Sequence, residues 1–169
     1  MLKHTLQSGE LEPTLSDIPF NVNLSDNPFP GLRPFSIDEC HLFFGREGQV
    51  DEILVKLSKN QFVTVMGYSG SGKSSLMYCG LVPVLYGGFM TNTGPFWNVI
   101  VSRPGTSPIN NLANSIVDFL VKENKVEESD KEIQHAIVSS VLRSGPNGLV
   151  EVSKYLQTYK AENIFFLID

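Results

Sequence analysis

The residues best typed and spaced for chemistry lie in the run 62–78, FVTVMGYSGSGKSSLMY, where Gly67, Gly72, Lys73 and Ser74 satisfy G-x-x-x-x-G-K-[ST]. A backbone that wraps a polyphosphate must turn several N–H groups inward and approach the ligand closely, and glycine allows both. Lys73 is expected to set its ammonium against β- and γ-phosphates and Ser74 Oγ to sit on Mg²⁺. The helix opening here would aim its positive end at the anion. The candidate cradle is therefore Gly67, Tyr68, Ser69, Gly70, Ser71, Gly72, Lys73, Ser74 and Ser75. The bland alternative is a chance match in a Gly/Ser-rich turn. Context argues against it: Phe62, Val63, Thr64, Val65 and Met66 read as a strand before the loop, and Leu76, Cys79, Leu81 and Val82 as a helix after it.

Stepping outward from the loop, 169 residues with 41% hydrophobic and 18% charged content suffice for one domain with a core. A net charge of −5 lacks the broad basic footprint of a nucleic-acid binder, so nucleic acid is not expected as a partner. Cys40 and Cys79 lack C-x-x-C spacing, and His4, His41 and His135 are scattered, which favours packed thiols over a disulfide or zinc framework. With no apolar run of signal-peptide or membrane-spanning length, the chain reads as cytoplasmic, with no membrane partner.

Residues 1–26 are polar and aperiodic and read as a flexible tail or linker, leaving 27–169 as the domain. Pro28, Pro30 and Pro34 hold the next stretch extended, with Leu32, Phe35, Phe43 and Phe44 as anchors. From Glu47, the apolar positions Val50, Ile53, Leu54 and Leu57 predict an amphipathic helix. Past the loop helix, Tyr86-Gly87-Gly88 breaks the chain, residues 91–96 read as turns, and residues 97–101 as a second strand. Ser107-Pro108 reads as a capped helix start whose stripe is Leu112, Ile116, Phe119 and Leu120. A solvated connector over 122–132 precedes a capping box of Ser129 and Glu132, opening a helix that buries Ile133, Ala136, Ile137 and Val141. A further helix carries Leu149, Val152, Tyr155 and Leu156, and NIFFLID at 163–169 is a strand ending in a carboxylate.

Strands alternating with helices predict an α/β layer fold with parallel strands, whose ligand lies at the strands' carboxyl ends. Met66 and Asp169 both belong there, and an Asp beside a phosphate loop would hold Mg²⁺ through its water shell. The bland reading of Asp169 is a chain-terminal acid of no consequence.

From Asn27 onward the chain resembles the nucleotide-binding domain of bacterial STAND-class signalling NTPases, of the novel STAND kind, relatives of the AAA+ and apoptotic ATPases. The resemblance rests on NPFPGLRPF at 27–35, FFGRE at 43–47, GYSGSGKSS at 67–75, GLVPVL at 80–85, SRPGTSP at 102–108, GPNGLVEV at 145–152 and the final strand. It implies a P-loop NTPase three-layer αβα sandwich of the additional-strand class that binds ATP/ADP with Mg²⁺. Gly45 and Arg46 would embrace the adenine, and Asp169 would be the Walker B acid, catalytic together with Lys73. From the residues alone, Arg46 is equally a surface cap of the following helix. The resemblance further implies a switch in which ATP binding and slow hydrolysis drive homo-oligomerisation and activate a fused effector. Nothing follows Asp169, so the expectation is a domain truncated after its Walker B strand, with the catalytic acid, sensors and sensing repeats in the missing C-terminal part of its own chain. Its sheet should carry a gap, since the additional strand of this class lies between the phosphate-loop strand and the Walker B strand.

Other classes fit less well. An ABC-type ATPase needs an LSGGQ-like signature, which residues 145–163 lack, and the GTPase motif N-K-x-D has only a misplaced near match at 124–127. A small kinase usually opens with its phosphate loop, whereas about 66 residues precede this one. A nucleotide-binding or scaffold module without turnover stays open, because Glu47, Glu151 and Glu162 lack the context of a water-activating acid.

Overall fold

Two parallel strands carry helices on both of their faces. A computed structural model describes residues 30–88, 97–159 and 163–169. The chain from Gly31 to Asp169 forms one compact unit; of the other unit, Met1–Pro30, only Pro30 is described. The tail expected over 1–26 and the turns expected at 91–96 lie outside the described residues.

A 3₁₀ turn at Ile37–Leu42 leads into helix α1 (Glu47–Lys59), whose acidic first turn and basic last turn suit the helix dipole. Its predicted stripe is the one that is buried, through Val50, Ile53 and Leu54. After the glycine-rich loop comes one continuous helix, α2 (73–86), α-helical over Lys73–Ser75, π-helical over Leu76–Leu81 and α-helical again over Val82–Tyr86. The widened turn immediately precedes Pro83, whose ring has no N–H to donate. Gly80 lies in that turn because α1 crosses it closely: a Cβ there would stand 2.6 Å from Val50 Cγ2.

Strand β1 (Asn98–Ser102) follows, then helices α3 (Pro108–Lys122), α4 (Lys131–Arg143) and α5 (Gly148–Gln157), then strand β2 (Ile164–Ile168). The strands pair in parallel from Asn98 with Ile164 to Ser102 with Ile168. Side chains alternate across a strand. Accordingly Val99, Val101, Phe165 and Leu167 pack with the cluster of α1 and α2, while Ile100, Ile164 and Phe166 pack with the cluster of α3, α4 and α5. This arrangement is compatible with the expected α/β class.

Several local expectations need correction. Of the four anchors expected in the lead-in, Phe35 and Phe43 pack against the core, whereas Leu32 and Phe44 are exposed. The run 62–66 forms no strand, and Phe62 and Met66 are exposed. Among the described residues the sheet has only two strands, and this segment pairs with neither. The capping box at Ser129 and Glu132 does not form; α4 starts after Asp130, and Ser129 Oγ reaches only Glu127. The buried face of α4 also differs from the predicted one: Val138, Ser139 and Leu142 are buried, and Ile133, Ala136 and Ile137 are exposed. Ser107 does occupy the cap position of α3, but its side chain makes no cap bond.

Candidate functional site

The loop over residues 67–75 takes its shape from its glycines. Gly70 and Gly72 adopt φ of +77° and +80°, the left-handed region that side chains disfavour, and Gly72 in this conformation is the cap from which α2 departs. A Cβ on Gly67 would come 3.0 Å from Ser71 Oγ, so the start of the loop is also tight. Ser71 N–H closes the turn onto the Tyr68 carbonyl at 3.2 Å. Tyr68, Ser69 and Gly70 are exposed at the tip. Lys73 folds back over the loop, donating from Nζ to the Gly67 and Tyr68 carbonyls at 3.0 and 2.9 Å.

Asp169 follows β2 directly, and its N–H donates to the Ser102 carbonyl at 3.0 Å. The carboxyl ends of both strands thus meet the start of α2. Ser74 Oγ donates to Asp169 Oδ1 at 2.6 Å, joining two residues 95 positions apart in the chain. Tyr78 OH donates to the other oxygen, Oδ2, at 2.8 Å, and Arg103 Nε stands 3.9 Å from that same oxygen. Burial, and then the bond to Asp169, hold the Tyr78 phenol above its ordinary pKa, so it remains a donor at neutral pH.

The remaining predicted residues are distributed around this centre. Arg46 occupies the cap position of α1 without a side-chain cap bond, and its guanidinium lies against Gly72, 3.9 Å from where a Cβ would stand there. Gly45 takes φ of +84°, and its N–H is held by Glu47 Oε1 at 2.8 Å. Ser75 is placed apart from the others. It is buried, and its Oγ accepts from Phe35 N–H at 3.1 Å, so it fastens the proline-rich lead-in to α2 and faces away from the loop's open side. Glu151 pairs with Lys154, while Glu162 lies outside the described residues.

Tyr78 and Arg103 were not singled out in the sequence, although a signal for each existed. Tyr78 is four residues after Ser74 and therefore on the same helix face. Arg103 directly follows a strand parallel to the one that ends in Asp169. A separate cleft of about 660 Å³, lined by Asn110, His135, Ser139, Arg143 and neighbours on α3 and α4, contains no residue of the loop.

The donor set at the loop suits a hard cation that keeps most of its waters, since Ser74 and Asp169 offer oxygen atoms only. Among the described residues no group of three or more His, Cys, Asp or Glu is assembled to hold a metal by itself. Nor is any described helix long and apolar enough to cross a membrane.

A family model described as Novel STAND NTPase 1 covers residues 28–169. Neither the curated proteins nor the solved structures gave a match.

Proposed function

The chain belongs to the Novel STAND NTPase 1 family, and on that premise we propose that it is the ATP-binding module of a STAND-type signalling ATPase. The observation that carries this reading is the 2.6 Å bond between Ser74 and Asp169, which joins the phosphate loop to the end of β2. In this reading the loop amides from Gly67 to Ser74 receive the phosphates. Lys73 exchanges its two carbonyl acceptors for phosphate oxygens, a charge-assisted replacement. Ser74 and Asp169 hold Mg²⁺, which when bound neutralises charge on the β- and γ-phosphates. Gly45 and Arg46, beside the loop, receive the adenine.

The two strands are then part of a larger P-loop sandwich of the additional-strand class, and a strand from the C-terminal part of a longer chain enters beside residues 62–66. Nucleotide exchange switches that longer protein, a cytoplasmic one, between a monomer and a homo-oligomer that drives an effector. Hydrolysis requires a positioned water. Glu47 is committed to Gly45 N–H and Glu151 to Lys154, so turnover is assigned to the longer protein and nucleotide binding to these residues.

Titration of the purified chain with a fluorescent ATP analogue tests the reading. Lys73→Ala should weaken binding about 10- to 100-fold, the effect of one charge-assisted hydrogen bond, and leave thermal unfolding unchanged. Equal affinity in the two proteins would refute it.

A further inference from the structure

The two oxygens of the Asp169 carboxylate face different neighbours, and the difference follows from helix spacing. Ser74 and Tyr78 are one turn apart on α2, so both point at the end of β2. The shorter side chain reaches Oδ1, and the longer one reaches past it to Oδ2. The Tyr78 residue is only 9% exposed and its ring belongs to the apolar cluster of α1 and α2, which fixes where its hydroxyl can be. Arg103 approaches Oδ2 from the end of β1, its Nε at 3.9 Å and its side chain 68% exposed. A carboxylate otherwise turns easily about its last torsion, exchanging its oxygens. Here one oxygen is held by a donor anchored in the core.

We propose that Tyr78, assisted by Arg103, is the positioning residue of Asp169: it holds Oδ2 so that Oδ1 is presented beside Ser74 to the cation that accompanies a nucleotide polyphosphate. This rests on the nucleotide reading of the site. Tyr78 touches neither phosphate nor cation and acts only through the carboxylate. A purely structural role would reside in the ring, which phenylalanine preserves, whereas the positioning role resides in the hydroxyl.

The experiment is calorimetric titration of ATP into the chain, in EDTA and across a series of Mg²⁺ concentrations, with thermal unfolding recorded for each protein. Tyr78→Phe should leave affinity in EDTA unchanged and raise the Mg²⁺ concentration at half-effect about three- to tenfold, the loss expected for one hydrogen bond. Arg103→Gln, an exposed substitution that leaves the core intact, should shift the same midpoint in the same direction by a smaller factor. An unmoved Mg²⁺ midpoint in both variants overturns the inference while the site reading stands. So does a Tyr78→Phe effect of equal size in EDTA. Absence of saturable ATP binding by the unmutated chain overturns the site reading, and the inference with it.

Discussion

The apolar cluster of α1 and α2 and that of α3, α4 and α5 lie against opposite faces of the same two strands, yet they are finished to different degrees. The second is closed: Ile100, Ile116, Leu120, Val138, Val152 and Leu156 are all at most 2% exposed, and three helices surround them. The first also has fully buried members, Val82 and Leu85, but its entry segment is open. Residues 62–66 run past it without a ladder, and Phe62, Met66 and Tyr68 are 82–91% exposed. The side chains that donate to the Asp169 carboxylate, Ser74 and Tyr78, both come from α2, on the open side. The difference teaches where stability and site are separated: one face of the sheet supplies a finished core, and the other supplies the loop and its unpaired approach.

Amide exchange should break or sharpen this contrast most sharply. The β1 amides paired with β2 should exchange orders of magnitude more slowly than those of residues 62–66, because exchange through a packed ladder requires opening it. Strong protection of 62–66 in the isolated chain would contradict the contrast. Next in size, Leu120→Ala in the closed cluster should cost about 2–5 kcal/mol in urea unfolding, through lost burial and a cavity. A cost well below that range would mean that the cluster is loosely packed.

The smallest expected effect lies in the lead-in to the open side. Glu39 accepts from both terminal nitrogens of Arg33 at 2.7 and 2.6 Å and from Ser36 N–H at 2.8 Å. The Arg33 bonds, followed by the Ser36 amide, hold its carboxyl down at about 2, from an ordinary 4.5. The folded value is depressed, so the stabilisation is fully present above about 4.5 and is lost as pH falls toward about 2. Carboxyl-carbon NMR should place the Glu39 midpoint near the lower value and, in Arg33→Gln, well above it. An unmoved midpoint in that variant would remove Arg33 as the cause.

How much of this was legible in the sequence follows the same division. The loop, α1, α3 and the two paired strands were readable because local pattern and tertiary packing agree there; Val50, Ile53 and Leu54, for instance, are buried as their spacing predicts. The segment 62–66 has strand composition, but a strand is completed only by a partner, which composition does not reveal. In α4, Ile133 and Ile137 made a persuasive apolar stripe, yet burial went to Val138 and Leu142, because the approach of α3 and α5 decides the face. At the site, the motif named Lys73 and Ser74; Tyr78 was marked only by its helix spacing from Ser74, and Arg103 needed the parallel pairing of β1 with β2 to become visible. Ser75, read as part of the cradle, fastens Phe35 because its place on α2 points it inward.

The central claim is that Ser74 and Asp169 together form the cation side of a nucleotide site. Calorimetry of ATP binding with and without Mg²⁺, in Ser74→Ala and Asp169→Asn, tests it most directly. The account predicts that Mg²⁺ tightens binding in the unmutated chain and that each substitution abolishes this gain while leaving the affinity in EDTA unchanged. A gain from Mg²⁺ that survives in both variants would contradict it.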